Sequence, residues 1–151
     1  MWKKILLGLL LIFVAIQFIR QPKNLGPESS LSDLQVHHPS PPEVREVLAN
    51  ACYDCHSNRT RYPWYAEIQP VGWWLASHVK DGKRHLNFSE FDPLTPKRMV
   101  RKLTQCSNEV TEGDMPLTSY KLAHPEARLT DAQRKLLVAW FDSERAKIPA
   151  D

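Results

Sequence analysis

Residues 52–56, Cys52-Tyr53-Asp54-Cys55-His56, place two thiols three positions apart with an imidazole directly behind them. The chain has one other cysteine, Cys106, and an odd count argues against a disulfide framework. The pair is therefore a site rather than a staple. Three chemistries use two cysteines at this spacing: a thioredoxin-like redox pair, half of a zinc site, and covalent attachment of haem. The residues on either side separate them.

Upstream, Ser40 is placed to cap a helix that opens on Pro41 and Pro42, with Glu43 and Glu46 near its positive end. Val44, Val47, Leu48 and Ala51 then recur at helical spacing, so this helix delivers the chain into Cys52. A thioredoxin-like pair follows a strand, and none precedes Cys52. A zinc site lacks its second cysteine pair, although His56 and another histidine would complete one. Haem attachment uses all of the pentapeptide. The thiols of Cys52 and Cys55 add to the two vinyl groups, and His56 is carried beneath the iron as proximal ligand.

Downstream, a second helix is predicted from about Pro70 to Lys80, with Val71, Trp74, Leu75, His78 and Val79 on one face and Gly82 as its stop. A third starts at Thr95-Pro96 and carries Met99, Leu103 and Cys106 or Val110. The fourth opens with the capping box Thr130-x-x-Gln133 ahead of Leu136, Leu137, Trp140 and Phe141. No segment alternates as a strand. The expectation is a small all-α domain over residues 40–151, built around one covalent haem c per chain.

Between the third and fourth helices, residues 107–120 form a long polar connection, and such connections are usually functional or disordered. Gly113 permits a sharp turn and Pro116 forces Met115 into extended backbone, which would present one thioether from a fixed loop as distal iron ligand. Met115 as core filler is the bland alternative. His78, His85 and His124 compete for the same role. Tyr62, Trp64, Tyr65, Trp73, Trp74, Phe88, Phe91, Trp140 and Phe141 are a heavy aromatic load, expected to keep the haem dry. Arg59 and Arg61 are candidates for the propionates and would serve equally as solvated charges. Cys106 is expected to be a small buried apolar residue.

At the other end, Lys3 and Lys4 precede an apolar run from Ile5 to Ile19, the pattern of an N-terminal anchor or export signal over residues 1–20. Fifteen residues is slightly short for a bilayer core of about 30 Å. The run ends Gln17-Phe18-Ile19-Arg20 rather than in small residues, which favours an uncleaved anchor over a cleaved signal. The membrane lipid would be one partner and the remainder would face the periplasm. Residues 21–39, rich in proline and serine and containing His37 and His38, read as an extended linker that holds the domain off the membrane. With 20 basic and 17 acidic residues, nothing points to a nucleic-acid partner.

The stretch from Cys52 through Arg59-Thr60-Arg61-Tyr62-Pro63-Trp64-Tyr65 resembles the bacterial haem-binding domain family. Leu86-Asn87-Phe88-Ser89-Glu90-Phe91, Met115-Pro116 ahead of Tyr120, and His124 before the last helix extend the resemblance over about residues 40 to 146. It implies a helical, cytochrome-c-like unit with haem on Cys52 and Cys55. The leading functional expectation is a one-electron carrier with His56 and Met115 on the iron, serving a redox partner protein. A peroxidase-like haem enzyme or a haem-based sensor with a displaceable distal ligand is the alternative.

Overall fold

The structure, a computed structural model, describes residues 1–27 and 30–149. Ser29 of the expected linker and the last two residues of the expected haem domain lie outside the described residues. Eight α-helices and no strands are present among the described residues: α1 (Trp2–Ile16), α2 (Leu34–His37), α3 (Pro42–Ala51), α4 (Tyr53–His56), α5 (Val71–His85), α6 (Pro96–Glu112), α7 (Thr118–Ala123) and α8 (Asp131–Lys147). Short 3-10 turns at Trp64–Glu67, Phe88–Glu90 and Pro125–Ala127 join them. The all-α expectation holds.

The core forms where α6, α8 and α3 meet. Val44, Val47 and Leu48 of α3 pack with Leu103 and Val110 of α6 and with Leu137, Trp140 and Phe141 of α8; Phe88 and Phe91 close the cluster. These are the apolar faces that helical periodicity picks out. The capping box of α8 is present, with Thr130 accepting from the Gln133 N–H and the Gln133 side chain accepting from Thr130. Ser40 does not cap α3. Its hydroxyl donates to the Gln35 side chain instead, and Pro41 takes the cap position.

Three expectations change. Gly82 does not end α5, which runs on to His85. The connection 107–120 is mostly helix, because α6 continues to Glu112 and α7 starts at Thr118, leaving a short turn that carries Met115. The segment 21–39 is expected as an extended linker, but several of its described residues lie against the domain. Asn24 donates through Nδ2 to the Ser57 carbonyl at 2.9 Å, and Gly26 N–H donates to the Asn58 carbonyl at 2.8 Å. Asp33 caps α2 and accepts from the Tyr53 hydroxyl at 2.9 Å, while His38 Nδ1 bonds Glu144 at 3.0 Å. Leu34 is fully buried in the core, which contributes roughly 2 kcal/mol. Side-chain amides and carboxylates satisfy this irregular backbone, so no periodic pattern announces it.

Helix α1 buries none of its residues, and its leucines, Ile5, Ile12 and Phe13 are exposed. No helix among the described residues is long and apolar enough to cross a membrane.

Candidate functional site

The motif sits at a break between two helices. Cys52 ends α3 and opens the single turn α4, and its carbonyl accepts from the N–H groups of Cys55 (3.2 Å) and His56 (3.0 Å). One helical turn puts positions i, i+3 and i+4 on the same side. Cys52, Cys55 and His56 accordingly share one wall of a cavity of about 430 Å³. That volume lies within the range of cofactor and ligand sites. Phe88, Val110, Leu117 and Phe141 supply apolar lining, and His78, Cys106 and Met115 also reach it.

The His56 ring is fixed by the backbone just past α5. Its Nδ1 lies 3.1 Å from the Leu86 carbonyl, which fixes the proton there and leaves Nε2 without a protein partner. Burial lowers its pKa against the opposing pull of that backbone bond, which favours the neutral, ligating imidazole. The thiols behave differently from a redox pair. Burial, reinforced by Cys106 and Cys55, pushes the Cys52 thiol up to about 12. Burial, then the neighbouring Asp54, pushes Cys55 up to about 11. A thioredoxin-like pair needs a depressed thiolate pKa, and these microenvironments do the opposite. Among the described residues, no three His, Cys, Asp or Glu side chains converge as a zinc site would need.

Helix α5 crosses directly over the motif. A Cβ built at Gly82 would stand 2.7 Å from the Cys55 carbonyl oxygen and 3.2 Å from its Cβ. The glycine lets two backbones touch; it is not a stop signal. Gly82→Ala is therefore expected to destabilise the fold by about 1–2 kcal/mol, although alanine is the better helix former by about 1 kcal/mol. Chemical denaturation checks this, and a stabilised variant would refute the contact.

Met115 stands in the turn between α6 and α7. Gly113 adopts a left-handed φ of 84°, which costs a glycine little, and its N–H and that of Met115 both donate to the Glu109 carbonyl. The turn thus points residues 115–117 into the cavity, where Met115, Pro116 and Leu117 form part of the wall. The Met115–Pro116 peptide is cis. His78 and His85 also line the cavity, with His78 Nδ1 at 2.9 Å from the Trp74 carbonyl. His124 does not line it; it bonds the Tyr65 hydroxyl and Glu126.

The structure brings in residues that sequence reasoning passed over. Asp54, treated only as a spacer between the cysteines, is buried and accepts from the Arg61 backbone N–H (3.0 Å), Arg61 Nε (3.1 Å) and the Tyr120 hydroxyl (2.7 Å). Tyr120 is itself part of the cavity wall. An acidic residue inside the motif with two arginines close behind was the available signal. Arg61 is consequently engaged by Asp54 and the Ala49 carbonyl, and Arg59 by the Gly26 carbonyl; neither lines the cavity. Lys102 is the basic side chain of strong charge that does. Cys106 is half-buried on the cavity wall, and burial pushes its thiol up to about 12.

A smaller cavity of about 230 Å³ adjoins the first, sharing Cys55, His78, Leu117 and Tyr120 and reaching Tyr65, Val71 and Trp74. Of the aromatic residues expected around a haem, Phe88 and Phe141 line the main cavity, whereas Trp64 and Trp74 are exposed.

Comparison with curated proteins and with solved structures finds no match. A family model described as a haem-binding domain matches residues 11–143, which include every helix that lines the cavity except the last turn of α8. The chain belongs to this haem-binding domain family.

Proposed function

We propose that the chain carries one haem c, attached through thioethers to Cys52 and Cys55 with His56 as proximal ligand and Met115 as distal ligand. It would act as a one-electron carrier on the periplasmic face of the inner membrane, anchored by α1. The observation that carries this reading is the shared cavity wall: both thiols, the imidazole with its free Nε2, and the one thioether of a fixed turn all face the same apolar space. Bound there, the haem supplies reversible one-electron exchange at iron. The protein's contribution is to hold both ligands, exclude water with Phe88, Leu117 and Phe141, and orient His56 through Leu86. A His/Met pair leaves no open iron position and raises the reduction potential. The exposed apolar helix behind Lys3 and Lys4 supports the anchor, and the positive-inside rule supports the periplasmic side. The electron donor or acceptor would be a redox protein near the same membrane.

His78 favours a second reading, since it lines the same cavity with Nε2 uncommitted. With His78 at a displaceable distal position, or with that position vacant, peroxidase-like chemistry or sensing by ligand exchange would follow. Near-infrared and visible spectra of the ferric protein separate the readings. The wild type is expected to show the Met–iron charge-transfer band, and Met115→Ala to lose it and turn high-spin or bind CO rapidly. Wild-type spectra that are already high-spin, or that Met115→Ala leaves unchanged, would sink His/Met ligation.

A further inference from the structure

Trp73 meets the segment that follows α1, and Trp64 and Trp74 lie exposed on the neighbouring turn and helix. Just past α1, the Gln17 side chain pairs with the backbone of buried Gln69: its Nε2 donates to the Gln69 carbonyl at 3.1 Å, and its Oε1 accepts the Gln69 N–H at 2.9 Å. Trp73 Nε1 donates to the Ile19 carbonyl at 2.8 Å. Arg20 and Lys23 both reach the Glu67 carboxylate. The apolar helix is thus mounted on the 67–73 turn rather than hung from a spacer. Around the mounting point Phe18 is 82% exposed, Trp64 76% and Trp74 46%, with Ile68 and Val71 exposed beside them.

We infer that this face, Phe18, Trp64, Ile68, Val71 and Trp74, seats in the interfacial layer of the bilayer that holds α1, so the haem domain rests on the membrane in a fixed orientation. The inference builds on the anchor reading above. Four observations favour lipid as the occupant. The face lies next to α1, which past Lys4 carries only apolar residues and glycine and buries none of them. It is rich in tryptophan, whose amphipathic ring concentrates at headgroup level. Arg20 and Lys23 stand at its edge, where anionic headgroups attract basic side chains. The lengths also agree. Helix α1 has 15 residues, and at about 1.5 Å per residue it measures roughly 22 Å, some 8 Å less than a bilayer core of about 30 Å. Apolar faces lying on a membrane bury about 5–10 Å into the boundary, which makes up that deficit. Because Val71 and Trp74 also line the smaller cavity, this seating turns that opening towards lipid.

The test uses the full-length haem-loaded chain in phosphatidylglycerol-containing vesicles that carry a lipid with a photoreactive diazirine at headgroup level, followed by flotation, illumination and peptide mass spectrometry. Seating predicts adducts on residues 64–74 several-fold above those on the exposed surfaces of α6 and α8. Chain that floats with vesicles but takes adducts only within residues 1–20 overturns the seating while the anchor stands, and leaves the aromatic face for a protein partner. Chain that does not float at all overturns the anchor reading and the seating with it.

Discussion

A chain carrying Cys52→Ser and Cys55→Ser, produced alongside c-type cytochrome maturation machinery, is expected to hold no haem that survives denaturation. Haem-stained denaturing gels and pyridine haemochrome spectra of the acid-extracted protein should fall to background, while the wild type keeps its signal. Both thiols lie on the wall of one cavity and both are protonated and unpaired with any neighbour, the state from which thioethers form. The consequence for stability is large as well. The apolar side chains on that wall, Phe88, Val110, Leu117 and Phe141, lose their packing partner when haem is absent. Haem-free chain is therefore expected to collapse around the space or unfold. A wild-type protein whose haem extracts completely into acid acetone would refute covalent attachment and leave haem binding itself intact. His56→Ala separates the two roles, since it keeps both thiols and removes the imidazole from the iron.

Asp54→Ala is expected to cost about 2–4 kcal/mol, because a buried carboxylate that accepts several hydrogen bonds is replaced by nothing. The Arg61 side chain is more than half exposed and can return to water, so its share is discounted. The Tyr120 hydroxyl and the Arg61 backbone N–H have no such outlet. Asp54→Asn keeps an acceptor and should lose about half as much. For a chain of this size the alanine variant should melt roughly 6–12 °C lower. Tyr120 reaches Asp54 from α7 and also forms cavity wall, so the carboxylate ties the α4 turn between the two cysteines to α7 across the cavity. Thermal and chemical denaturation of the haem-loaded variants measure this. If both variants match the wild type, Asp54 fixes nothing and is a spacer after all.

Much of the architecture was legible before any coordinates. Helical periodicity and cap chemistry located α3, α6 and α8, because those helices bury one apolar stripe each and open on proline or a capping box. The pentapeptide located one wall of the main cavity, because one turn of backbone puts Cys52, Cys55 and His56 on the same side. What failed were inferences that treated a residue by its local preference alone. Gly82 looks like a helix end, yet it lies inside the last turn of α5, where the Cys55 backbone leaves no room for a Cβ. Residues 21–39 look like a spacer, yet Asn24, Asp33, Leu34 and His38 bind them to the domain through contacts more than 15 residues away in sequence, which no period encodes.

The local alphabet of this protein thus came from the sequence: which segments coil, roughly where they begin, and which short motif to look at for a site. Only the tertiary structure decided that Asp54 is a buried anchor, that Met115 and His78 share a cavity with His56, and that Trp64 and Trp74 face outward. The physical reason is range. Propensity, capping and motif spacing act within one or two turns, whereas close approach, burial of a carboxylate and the shaping of a cavity depend on segments that meet only when the chain has folded.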